Sequence, residues 1–164
     1  MTARAETAVQ VAVVGSGAER EADAEEVGRL IAEAGGTLIC GGHEEVMTAA
    51  ARGAKAAGGV TIGILPGESR AAANPWIDHV VVTGIGHARN LAVAASGDVV
   101  VVVGGGYGTL SEIAFARILA RPVVILEPGW DVARDGVERA ATPEEAVALA
   151  LRLAAGDGQA PSSP

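Results

Sequence analysis

The chain has 164 residues and a formal net charge of -8, so it lacks the broad basic surface that DNA, RNA or an anionic membrane would require. Its single cysteine, Cys40, excludes an intrachain disulfide and a thiolate metal cluster, and no apolar run reaches the ~18 residues of a membrane span. Valine, isoleucine, leucine, alanine and 23 glycines dominate, with few aromatics; the expectation is one cytoplasmic α/β domain, a Rossmann-like, doubly wound and mostly parallel sheet.

Residues 1–8 read as a flexible leader, 9–155 as the domain and 156–164 as a disordered tail. The first strand is expected at 9–14, ending in Gly15-Ser16-Gly17, and the first helix at 23–34, stopped by Gly35-Gly36. A short strand at 38–40 runs into Gly41-Gly42-His43, a helix covers 45–57, and a third strand covers 60–65. Residues 68–77 break this rhythm and read as a surface loop. A strand at 79–82, a helix at 87–95, a strand of five consecutive valines at 99–103, a helix at 110–119 and a strand at 123–126 follow. An edge strand is expected around 136–140. Thr142, Pro143 and Glu145 then open the final helix as cap, first residue and completed capping box.

The stretch from Val99 to Glu112, VVVVVGGGYGTLSE, organises the rest. A fully apolar strand, a glycine turn and a helix in that order present unobstructed backbone N–H groups next to the positive end of a helix, which together cradle an anion. The competing account is a capping box, Thr109 with Glu112, that ties off the helix start without a ligand. Four glycines in five positions exceed what a cap needs, which favours a phosphate-like group.

Ligands of open parallel sheets sit beyond the carboxyl ends of the strands, where the 15–17 loop, the 41–43 loop, the turn before Arg89 and the 104–109 loop should meet. Arg89 and Asn90 lie near a helix start, where a cation gains nothing from the dipole; a ligand anion would explain Arg89, and a surface arginine or a salt bridge to Glu112 is the alternative. Leu91 and Val93 are read as inward contacts of that helix. Thr109 and Ser16 offer hydroxyls to a phosphate, and Tyr107 either stacks on a ring or covers the loop. His43 and His87 read as rim residues; with His79 they show no metal-ligand spacing, and no metal site is expected. Gly15-Ser16-Gly17 lacks the third glycine of a dinucleotide fingerprint, and no glycine loop is followed by G-K-[ST].

These residues resemble the superfamily once labelled lysine decarboxylase-like, which includes the Lonely Guy phosphoribohydrolases and the molybdenum-cofactor carrier proteins. NPWIDHVVVTGIGHARN, GGGYGTLSEIAFA and GVTIGILPG look closest to the carrier branch. The resemblance implies that Gly105, Gly106, Gly108 and Thr109 hold a ligand phosphate, and that Arg89 and Glu112 are the catalytic pair if cleavage occurs. Gly15, Ser16, Gly17, Gly42, Asn90 and Tyr107 are expected as further ligand contacts. It also implies a homo-oligomer and, as cargo, the molybdenum cofactor.

Three positions depart from the hydrolase pattern: Gly104 stands for proline, Asn90 for lysine, and Glu45 for glycine in the turn Gly41–Met47. Glu44 and Glu45 would repel an anion if they faced the pocket. The expected function is therefore binding or carriage of a phosphorylated heterocycle, with nucleoside 5′-monophosphate phosphoribohydrolase as the alternative. A nucleic-acid role, as in DNA-uptake mediators of related fold, is opposed by the acidic balance. The decarboxylase label finds no support, because Lys55, the only lysine, sits among alanines without a pyridoxal phosphate site.

Overall fold

The computed structural model describes residues 7–43, 45–132 and 134–156; most of the expected leader and tail, and Glu44, lie outside them. Seven parallel strands form one sheet in the order β4-β3-β2-β1-β5-β6-β7. The strands are β1 Gln10–Ser16, β2 Thr37–Cys40, β3 Val60–Leu65, β4 His79–Val82, β5 Val99–Gly104, β6 Val123–Leu126 and β7 Val137–Ala140. The helices are α1 Glu21–Glu33, α2 Val46–Ala56, α3 Arg89–Ser96, α4 Tyr107–Ile118 and α5 Pro143–Ala154. The doubly wound architecture expected from the sequence is present, and the expected edge strand is β7.

The central strands are buried on both faces, which is why their sequences do not alternate. Val99 through Val103 are each 0% exposed. Val99, Val101 and Val103 pack with α1, α2 and α5 residues, whereas Val100 and Val102 pack with Val93, Ala94, Ile113 and Ala116 of α3 and α4. Burying each such valine contributes about 1.5–3 kcal/mol. On the first face α1 and α2 approach so closely that a Cβ on Gly28 would overlap the Ala50 carbonyl, and one on Gly53 the Glu25 carbonyl.

From β1 the chain winds outward through β2, β3 and β4, then returns to place β5 on the other side of β1, with Ser16 in register with Gly104. The two strands therefore leave the sheet side by side and their following loops diverge, opening a crevice at the switch point.

Several boundaries differ from the sequence reading. Residues 68–77 are largely irregular but contain a tight helical turn at Arg70–Ala72. A similar turn at Gly86–Ala88 precedes α3, so Arg89 is the first residue of that helix. Leu91 is 42% exposed, not inward as expected, while Val93 is fully buried. The Thr142 cap is as expected: its hydroxyl accepts the Glu145 N–H at 3.2 Å, and the Glu145 carboxylate returns to the Ala141 N–H at 2.7 Å. Lys55 donates to Asp78 and to the Gly59 carbonyl, both at 2.9 Å, which is a structural employment. Among the described residues no helix is long and apolar enough to cross a membrane.

Candidate functional site

Two adjoining cavities open at the carboxyl ends of β1, β2 and β5. The smaller, of about 210 Å³, is walled by Ser16, Gly41, Arg89, Asn90, Thr109 and Glu112 among others. The larger, of about 440 Å³, is walled by Ser16, His43, Glu45, Met47 and Ala72. Ser16 and Met47 border both.

The β5–α4 turn does not form the capping box considered from sequence. Helix α4 starts at Tyr107, three residues earlier than expected, with Gly106 at its N-cap and no side chain capping it. Thr109 is thus inside the first turn, and the capping box of Thr109 with Glu112 is not formed. The helix ladder begins with the Leu110 N–H on the Gly106 carbonyl at 3.0 Å, which leaves the amides of Tyr107, Gly108 and Thr109 outside it. Gly104 (φ 63°) and Gly105 (φ 108°) bend the chain through conformations that L-residues rarely adopt. A Cβ on Gly105 would overlap the Thr109 side chain.

Arg89 and Glu112 face the same cavity but do not form the salt bridge considered from sequence. The Arg89 Nη1 instead donates to the Gly41 carbonyl at 2.7 Å and to the Ile64 carbonyl at 2.8 Å, at the ends of β2 and β3. Its Nε is buried without a partner. A Cβ on Gly41 would overlap this guanidinium, so the glycine is what lets the arginine pass. Burial pushes the Arg89 pKa down, partly offset by Glu112 and Cys40. Glu112 is 8% exposed, and burial raises its pKa to about 8 against the opposing pull of Arg89. Near neutral pH it is therefore mostly the uncharged acid. The same burial raises the Cys40 thiol to about 11, consistent with its reading as a small apolar residue.

The remaining expected residues divide into those at the cavity and those behind it. Gly15, Ser16, Asn90, Gly106 and Gly108 border the smaller cavity. Asn90 also braces the first turn of α4: its Nδ2 donates to Ser111 Oγ at 3.1 Å and to the Gly108 carbonyl at 3.4 Å. Gly105 supports the wall from behind through Thr109. Tyr107 is 86% exposed and lies 6.1 Å from Trp130, ring centre to ring centre. Gly42 is buried and donates its N–H to Cys40 Sγ at 3.3 Å. Gly17 donates its N–H to Glu45 Oε2 at 2.7 Å. Gly41, from the 41–43 loop expected there, borders the smaller cavity, and Met47, which the sequence reading does not place at the site, borders both. Arg20 carries no local sequence signal of its role. It is 7% exposed and ties the β1 loop to the β6 loop by donating to the carbonyls of Leu126, Glu127 and Pro128, as well as to Asp23.

A family model described as the SLOG cluster4 family matches residues 8–154. The chain belongs to the SLOG cluster4 family. This member is 44% identical over 145 residues to an uncharacterised protein of Archaeoglobus fulgidus, covering 85% of this chain and 92% of the other. It is 34% identical over 114 residues to a cytokinin riboside 5′-monophosphate phosphoribohydrolase of Mycobacterium tuberculosis, covering 64% of this chain and 61% of that enzyme. Among solved structures, the molybdenum cofactor binding protein of Rippkaea orientalis superposes with a TM-score of 0.85 at 34% identity, covering 91% of this chain and 99% of that one. The resemblance to phosphoribohydrolases and molybdenum-cofactor proteins read from the motifs is thereby established at the level of the family.

Proposed function

We propose that this SLOG cluster4 protein binds or carries a phosphorylated heterocycle, a nucleoside monophosphate or a pterin cofactor, with the phosphate in the smaller cavity. The observation that carries this reading is that the start of α4, at Gly106, Gly108 and Thr109 with no side chain capping it, borders one cavity together with the buried Arg89. Such an arrangement favours an anion through both the helix dipole and charge-assisted donors. The acid opposite, Glu112, is largely uncharged near neutral pH and does not oppose it. Likeness to the molybdenum cofactor binding protein supports a carried pterin as one candidate. Calorimetric titration with ribose 5-phosphate, nucleoside monophosphates and a pterin monophosphate tests the reading. Saturable, phosphate-dependent binding is expected, and its absence in protein stripped of copurified ligand would refute it.

The second reading is a nucleoside 5′-monophosphate phosphoribohydrolase, favoured by Glu112 at the cavity wall and by the mycobacterial relative. As a carboxylate Glu112 would stabilise an oxocarbenium-like sugar, so cleavage should rise as the pH passes about 8, whereas carriage requires no turnover. Release of free base from a monophosphate, abolished by Glu112→Ala, distinguishes the two.

The proposal extends to a homodimer. Tyr107 (86% exposed), Ile118 (76%) and Leu91 (42%) are open apolar residues on α3 and α4, the helix pair packed on one face of the sheet. A second copy covering them would remove that surface from water.

A further inference from the structure

The larger cavity adjoins the anion site, and its wall carries a carboxylate held in an unusual way. Glu45 has φ 53° and ψ -122°; an L-residue meets steric resistance there that glycine does not. From that position its Oε2 accepts the Gly17 N–H at 2.7 Å, bridging the β1 loop and the start of α2. The Gly17 amide is thereby engaged within the protein.

Among the described residues no hydrogen bond or ion pair engages the other carboxylate oxygen, Oε1. A carboxylate oriented through one oxygen and open at the other, on the wall of a cavity of about 440 Å³, is an acceptor for N–H groups of a ligand. Cavities of this size hold drug-sized molecules and fix their orientation with a few such polar groups. Because Ser16 and Met47 border both cavities, a molecule with its phosphate near Arg89 extends its ring system past them toward Glu45.

We infer that Glu45 is a specificity-determining residue that selects a ring edge with adjacent N–H donors, the 2-amino-4-oxopyrimidine edge shared by guanine and pterins, over an adenine edge. This inference rests on the phosphate reading. A guanine-type edge presents a ring N–H beside an exocyclic amine, both donors to one carboxylate. An adenine edge sets its amine beside a ring nitrogen acceptor, which places a lone pair against the negative oxygen.

The test measures dissociation constants of ribose 5-phosphate, GMP, AMP and a pterin monophosphate for the wild-type chain, and of GMP and AMP for Glu45→Gln and Glu45→Gly. Wild type should prefer GMP to AMP by about tenfold or more, the scale of a charge-assisted hydrogen bond. Both variants should bring the ratio within about threefold, since neither presents a charged acceptor. Glu45→Gly also relieves the backbone and should unfold at a higher temperature than wild type, which guards against attributing lost selectivity to misfolding. Whichever of GMP and pterin monophosphate binds more tightly identifies the source of the edge. Equal affinity for GMP and AMP in the wild type, or a preference that persists in both variants, overturns the inference while leaving the phosphate reading intact. Failure of ribose 5-phosphate, GMP, AMP and the pterin alike overturns both.

Discussion

Glu112 illustrates how burial alone can set the charge of a group before a ligand arrives. An ordinary glutamate titrates near 4.5, and in the folded chain this one titrates at about 8. Between those values the native state holds a proton that the unfolded chain has released. The stability linked to that proton is fully present below pH 4.5 and is lost as the pH rises through 8. Thermal unfolding followed by circular dichroism should therefore show wild type losing stability from pH 5 to pH 9. Glu112→Gln, which keeps the neutral shape, should lose less over the same interval. The two curves should lie together at the acid end and separate on the alkaline side; parallel curves would mean that Glu112 is charged throughout. The same titration bears on the proposed anion site, because a deprotonated Glu112 opposes a phosphate, and phosphate affinity should weaken over the same alkaline range.

At the scale of the element, the β5–α4 turn depends on a glycine in a conformation that side chains avoid. Gly105→Ala combines a φ of 108° with an overlap on Thr109 and is expected to cost about 1–3 kcal/mol in urea unfolding. It should also lower ribose 5-phosphate affinity, because the first turn of α4 must shift. The existence and order of the strands and helices were legible in hydrophobic runs and glycine stops, since five buried valines have no other reasonable reading. The start of α4 was not. Tyr107, Gly108 and Thr109 are poor helix formers, and the spacing of Thr109 and Glu112 mimics a capping box. Packing of Thr109 against Gly105, and the brace from Asn90 to Gly108 and Ser111, hold those residues in the helix instead. Similarly, sequence marked Arg89 as unusual for its place near a helix start, but its course over Gly41 to two strand-end carbonyls depends on contacts 48 and 25 residues away. Local patterns carry no record of such partners.

For the whole molecule, the open apolar residues of α3 and α4 give the dimer proposal a direct check. Light scattering should return twice the chain mass for wild type, and the chain mass for Ile118→Glu, which places a charge on a residue that is 76% exposed and so should not disturb the fold. A wild-type monomer at high protein concentration would reject self-association through this face. The rest of the architecture concentrates the proposed chemistry at one rim, where the chain reverses its direction of winding between β1 and β5.

Arg20 has a further effect at that rim. Its guanidinium is engaged by three carbonyls and Asp23, so although it lies beside the crevice it has little capacity left for a guest. Among the described residues Arg89 is then the one arginine or lysine bordering either cavity. On the proposed reading the site suits a guest with a single phosphoryl group; a second, as in GDP, would meet no further arginine or lysine on either cavity wall. GMP should accordingly bind more tightly than GDP in the same titration, the reverse of the order typical of pockets lined with several cations.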